Sequence, residues 1–283
     1  MNDIFLRYPG GLERAVTFSY DDSNLTNMKL ADIFNRYKAK CTFNLNSGFF
    51  TNEDVAGKNT YMKKSDVKEL FKGTEHEAAI HGYTHPFFDL LPDGLTAYEI
   101  IKDRETLEDM FGKPVKGMAF PNGPVTADAQ YSEKITQLLK NCGICYARTT
   151  LKANNFRLPD DWYRLRTTCH HNSPELMSTA RLFAETDIDR IPRLLYVWGH
   201  SFEFERNGNW NVMEELLKYL SGFDNIWYAT NMEIYNYVRA YNSLQFDVKG
   251  TMAYNPSCVS VYVTRKGKTK EIKPGETAFL NDE

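Results

Sequence analysis

The chain has 283 residues, 42% hydrophobic and 25% charged, with a formal net charge of −3. These proportions belong to a globular protein and exclude a disordered one, and the near-neutral charge without a basic stripe gives no footprint for nucleic acid. No apolar run approaches the roughly 18 residues that a bilayer-spanning helix needs.

In chain order, AVTFSY (15–20) reads as a strand, and NLTNMKLADIFNRYK (24–38) carries apolar residues at helical spacing. CTFNLNSGFF (41–50) is a second strand, SDVKELFKG (65–73) a helix and EAAIHG (77–82) a third strand. TAYEIIKDRETLEDMFG (96–112) is the clearest helix, ended by Gly112. VKGMAF (115–120) is a strand, ADAQYSEKITQLLKNCG (127–143) a helix and ICYARTT (144–150) a strand. SPELMSTARLFAET (173–186) and NVMEELLKYLSGF (211–223) are helices flanking the strand LLYVWGH (194–200). NIWYAT (225–230) is a last strand, followed by the helical NMEIYNYVRAYNSL.

Repeated β-then-α units imply a parallel sheet, because each helix carries the chain back. With seven or eight such units the expected fold is α/β, a distorted (β/α) barrel of about seven strands over residues 1–240. No GxGxxG follows the first strand, which argues against a dinucleotide fold. Residues 241–283 change character, with short alternating runs broken by RKGK and Pro-Gly turns, and read as a small C-terminal antiparallel β appendage. The five scattered cysteines are not a disulfide framework, and Cys142 and Cys145, a lone CxxC, read as ordinary thiols. The opening MNDIFLRYPG lacks the layout of a signal peptide, so a cytoplasmic protein and an exported one with its leader removed both fit.

The polar residues fall at strand ends. Asp21 and Asp22 follow the first strand, His81 and His85 the third, Pro121 and Gly123 the fourth, and His200 a later one. In a parallel barrel these ends share one face, where active sites are built. Two imidazoles and one carboxylate leave coordination positions open, as a catalytic metal requires. Asp22 is the third candidate ligand, and its neighbour Asp21 stays free as a base.

At these residues the chain resembles the polysaccharide deacetylase family, the metal-dependent carbohydrate esterases that include chitin and peptidoglycan deacetylases. The family motifs T-F-D-D-G, H-[ST]-x-x-H, R-x-P-x-G, Asp–Trp and Leu-x-His correspond in order to TFSYDDS, HGYTH, AFPNG, DDW and WGH, over roughly residues 12–235. The resemblance implies a general base at Asp21, metal ligands at Asp22, His81 and His85, and a general acid at His200. It implies an oxyanion-holding loop at Pro121 and Asn122, and a pocket-lining, charge-orienting motif at Asp161 and Trp162. Tyr20, Pro121, Trp162 and Trp198 are the expected pocket walls. The family arginine that pairs with the base is Ala119 here. Arg148, Arg164 and Arg166 are the available replacements, and Arg166 is the expected one.

The implied activity is metal-dependent removal of acetyl groups from N-acetylated sugars of a poly- or oligosaccharide. The implied ion is divalent, zinc first, with cobalt, nickel or manganese as alternatives. An acidic partner, Asp161, Glu203 or Glu205, would keep His200 cationic. O-deacetylation, as on xylan, would use the same residues. A carbohydrate-binding homologue without catalysis is the reading that Ala119 invites. A non-haem iron oxygenase shares the two-His, one-carboxylate set, but the βα alternation argues against it.

Overall fold

The computed structural model describes residues 3–50, 60–123, 129–188 and 190–281, with the side chains of 129–131 outside the description. The elements in chain order begin with β1 (Ile4–Arg7), β2 (Arg14–Asp21), α1 (Asn27–Arg36), β3 (Thr42–Leu45), α2 (Lys64–Phe71) and β4 (Glu77–Ile80). Next come α3 (Asp93–Phe111), β5 (Gly117–Ala119), α4 (Ala129–Asn141), β6 (Tyr146–Lys152), β7 (Leu165–Thr167), β8 (Cys169–His170) and α5 (Leu176–Glu185). The rest are β9 (Arg193–His200), α6 (Ser201–Asn207), α7 (Asn211–Leu220), β10 (Ile226–Tyr228), α8 (Asn231–Asn242), β11 (Gln245–Phe246), β12 (Met252–Tyr254), β13 (Val261–Arg265), β14 (Lys268–Ile272) and β15 (Thr277–Phe279). Residues 127 and 128, the expected start of α4, lie outside the described residues.

The main sheet runs β7-β6-β5-β4-β3-β2-β9-β8, all parallel. One short segment brings its two ends together. Leu165 pairs with Arg148 of β6, and three residues on, the Thr168 N–H donates to the Tyr196 carbonyl of β9 (2.8 Å). Residues 165–171 therefore serve both edges in turn and turn the sheet into a distorted barrel. β10 adds to the base of β2 at Arg14–Val16, below the point where β3 starts pairing at Ser19.

Strand alternation sorts the barrel into two environments. In β2, Phe18 and Tyr20 face outward onto α1, with ring centroids 4.8 and 6.0 Å from Phe34. Thr17, Ser19 and Asp21 face the lumen, where they meet Asn231, Asn44 and Arg148 respectively. The outer layer is the apolar core; the lumen is polar and hydrogen-bonded. At its base, Tyr146 Oη, Thr42 Oγ1 and the Met232 N–H all donate to Glu77, fixing the start of α8 under the barrel.

The C-terminal residues form antiparallel sheets, β11-β12-β15 and β1-β13-β14, so the N-terminal strand joins the second of them. Tyr237 of α8 ties that sheet to the helix: its hydroxyl donates to the Arg7 carbonyl (2.7 Å) and accepts from the Tyr262 N–H (3.0 Å). All five cysteines are free. No helix among the described residues is long and apolar enough to cross a membrane.

Candidate active site at the strand ends

The C-terminal ends of β2, β4, β5 and β9 bring together Asp21, Asp22, His81, His85, Asn122 and His200. Asp22 Oδ1 lies 3.8 Å from His81 Nε2 and 3.5 Å from His85 Nε2. One ligand atom from each of the three residues lies within 4.8 Å of the others. With metal–ligand bonds of about 2.1 Å, tetrahedral ligands stand about 3.4 Å apart, so these separations suit one ion.

Protonation agrees. His81 Nδ1 donates to the Ala119 carbonyl at 2.8 Å, which leaves the Nε2 lone pair facing Asp22. Burial lowers the His81 pKa to about 4 against the pull of Asp21 and Asp22, so the ring is neutral, as a ligand must be.

The backbone is bent to reach this arrangement. Asp22, His85 and Asn122 all have left-handed φ, 71°, 55° and 59°, a conformation that costs a non-glycine residue on the order of 1 kcal/mol and clusters at functional sites. Gly82, with φ 76°, turns the chain between the two histidines, and Asn46 Nδ2 pins the turn by donating to the His81 and Gly82 carbonyls. Asn122 Nδ2 donates to the His85 carbonyl (3.0 Å), so the Pro121–Gly123 turn is tied to the histidine loop.

Asp21 sits beside this set, 2% exposed, with His81 Nε2 and His200 Nε2 each 3.9 Å from its Oδ2. Its arginine partner is Arg148, fully buried, whose Nη2 donates to both carboxylate oxygens. Burial alone would raise the Asp21 pKa; Arg148, His81 and His200 hold it down, to about 2. His200 has Glu203 Oε2 3.7 Å from its Nδ1. Burial would lower the His200 pKa, but Glu203 and the aspartates outweigh it and the net shift is upward.

Several expectations need correction. Arg166 is not the partner of Asp21: it is exposed, and Arg148 takes that place because β6 alternation aims residue 148 into the lumen. Asp161 and Trp162 precede β7, at the opposite end of the barrel from the strand ends that carry the site. There Asp161 pairs with Arg164 (2.6 Å), and Trp162 packs edge-on against Tyr235 of α8. Tyr20 is no pocket wall, since its place in β2 points it outward into the core. Trp198 does face the lumen, under the Arg148 guanidinium at 4.8 Å, and Pro121 is buried beside Gly82.

A second cluster went unpredicted. His170, His200 and Glu203 also offer three donor atoms within 4.8 Å. Glu203 Oε2 lies 3.1 Å from His170 Nε2 and 3.3 Å from His171 Nε2. His171 stacks between Tyr20 and Phe204, so close to Gly199 that a Cβ there would lie 1.9 Å from its ring. The signal was HH at 170–171, whose rings both turn to Glu203, but it sits at the end of a strand the apolar pattern did not mark.

A parallel barrel with titratable groups gathered at its strand ends has the layout on which barrel active sites are built. The polysaccharide deacetylase family model matches residues 9–147 of the chain. A comparison with curated proteins gives no match. Among solved structures, a putative polysaccharide deacetylase from Mycobacterium smegmatis superposes with TM-score 0.58 at 17% identity, over 84% of this chain and 94% of that one. Peptidoglycan deacetylase PdaC from Bacillus subtilis gives 0.51 at 12% identity, over 82% and 94%. An allantoinase, Puue, gives 0.59 at 11% identity, over 81% and 91%. At such identities the likeness is one of fold. The chain spans 55% of the Streptococcus pyogenes deacetylase PplD, with TM-score 0.41 and 18% identity over 48% of this chain.

Proposed function

We propose that the protein is a metal-dependent hydrolase that removes acetyl groups from N-acetylated sugars of a poly- or oligosaccharide. The observation that carries this is the convergence of Asp22, His81 and His85 on one point, with Asp21 on one flank and His200 facing it. Zinc suits two imidazoles and a carboxylate; cobalt, nickel or manganese would fit the same donors. When bound, the ion would polarise the acetyl carbonyl and acidify a water.

The chain's own groups supply the rest. Asp21, kept ionised by Arg148, accepts the proton of the attacking water. The Asn122 N–H, presented by its left-handed turn, stabilises the oxyanion as charge develops on it. His200, kept protonated by Glu203, delivers a proton to the sugar nitrogen as the C–N bond breaks, since an amine anion is a very poor leaving group. Acetate and the free amino sugar are the products. Trp198 and Pro121 wall the acetyl side, with Trp198 also holding Arg148 in place.

The Arg148–Asp21 pair removes the main support for a homologue that has lost catalysis. O-acetyl hydrolysis would use the same groups but depend less on His200, because an alkoxide leaves more easily. The test is acetate release from chitooligosaccharides, peptidoglycan fragments and acetylxylan, before and after chelation and zinc restoration. Release only from acetylxylan would replace N- by O-deacetylation, and no release from any substrate would refute the proposal. The division into a 1–240 barrel and a 241–283 appendage is proposed too, with β1 assigned to the appendage by its pairing.

A further inference from the structure

The loop that carries His81 and His85 is gripped from one side by a helix. Glu99 and Asp103 of α3 stand one turn apart, 8% and 0% exposed, and no cation pairs with either among the described residues. Buried carboxylates are costly unless hydrogen-bonded. Among the described residues, all the side-chain hydrogen bonds of these two go to the histidine loop and to the turn after β3. Asp103 Oδ2 accepts from the His81 N–H (3.1 Å), which also donates to the Leu45 carbonyl (2.8 Å). Asp103 Oδ1 accepts from the Ser47 N–H (2.8 Å) and hydroxyl (2.5 Å). Glu99 Oε2 accepts from the Thr84 N–H (2.7 Å) and Oε1 from the Thr84 hydroxyl (2.9 Å). The Glu99 carbonyl takes the Tyr83 N–H (3.3 Å).

We infer that α3 is a clamp whose carboxylates Glu99 and Asp103 fix the spacing of His81 and His85 and thereby set metal affinity; this rests on the metal site of the proposed function. Gly82 and His85 are both left-handed, so the loop needs an outside restraint to keep this shape. Asp103 holds the first histidine by its own N–H. Glu99 holds the residue just before the second. The arrangement also explains a departure from the family motif: the hydroxyl next to the first histidine is replaced by Gly82, and the loop's hydroxyl lies two residues later, at Thr84, where Glu99 reaches it. Glu99 and Asp103 are positioning residues, since neither faces the donor atoms.

The decisive variants are Glu99→Ala and Glu99→Gln, with Asp103→Asn as a third. Zinc affinity is read by competition with a chromophoric chelator, and the apo proteins are compared by imidazole NMR and urea unfolding. Glu99→Ala should weaken zinc at least about tenfold, the usual size of an outer-shell effect. It should also broaden or double the His85 ring signals of the apo protein. Glu99→Gln should recover most of the affinity, because its carbonyl can accept from the Thr84 N–H while its amide donates to the hydroxyl. A merely structural role would lower the urea midpoint and leave the zinc affinity of the folded protein unchanged, and that result overturns the clamp. Should Asp103→Asn fail to fold, Glu99→Ala decides alone. Should the wild type bind no divalent ion, the proposed function fails, and unchanged His85 signals in apo Glu99→Ala overturn the clamp separately.

Discussion

Two clusters at the barrel mouth look alike by residue type and distance. Asp22 with His81 and His85, and Glu203 with His170 and His200, each set two imidazoles within 3.8 Å of a carboxylate oxygen. What separates them is the far side of one ring. His81 Nδ1 gives its proton to a carbonyl, so its inner nitrogen is a lone pair. His170 Nδ1 accepts from the Asn172 N–H (3.1 Å), so its inner nitrogen carries the proton and donates to Glu203. The first cluster leaves a lone pair free for the cation of the proposed function, and the second turns its protons toward a carboxylate. The difference teaches that the outer hydrogen bond, more than the donor count, tells a metal site from a hydrogen-bonded one.

The largest effect that could break this comparison is on metal content. Replacing His81 or His85 by Ala should abolish stoichiometric zinc binding and turnover together, whereas His170→Ala should keep one equivalent bound. Elemental analysis after dialysis checks this, and loss of zinc from His170→Ala alone would reverse the assignment. Next comes the pair lying between the clusters. Arg148→Met leaves the Asp21 carboxylate buried without its cation and should cost about 3 kcal/mol or more, read from urea unfolding. A loss below about 1 kcal/mol would show the pair to be unimportant to the fold.

The second cluster has its own pH signature. Burial, with some repulsion from His170, lowers the His171 pKa to about 3, below its unfolded value. Its neutral form therefore stabilises the fold fully above about pH 6.5, and that contribution is lost as pH falls from there toward 3. His171→Phe should flatten the fall in stability between pH 6.5 and 4.5 by about 2 kcal/mol, and an unchanged slope would contradict the assignment. The smallest effect expected is on the rate profile. A general acid works while protonated, so activity declines as pH rises through the His200 pKa. Glu203→Gln removes the group that outweighs burial, and should move this alkaline limb down by about one pH unit.

Much of this was legible in the chain. The βα alternation gave the barrel, and strand-end placement brought Asp21, Asp22, His81, His85, Asn122 and His200 to one face. What stayed hidden depended on facing and on strands with no apolar run. Arg148 and Arg166 are alike as residue types, and only the facing of a strand whose bounds were known could choose between them. Tyr20 was misassigned for the same reason, one residue from a lumen-facing aspartate. Segment 165–171 closes the barrel through backbone pairing with little apolar content, so both it and its histidines escaped the pattern.

β2 pairs with β9 along its whole length, Arg14 opposite Arg193 through Asp21 opposite His200. During synthesis, the eight-residue edge of β2 that awaits β9 emerges from the ribosome long before its partner exists. For that interval the nascent chain carries an open template for strand addition, the kind of edge that chaperones shield. The segment that matches the family by sequence, residues 9–147, lacks β9 altogether, and expressed alone it should aggregate rather than fold.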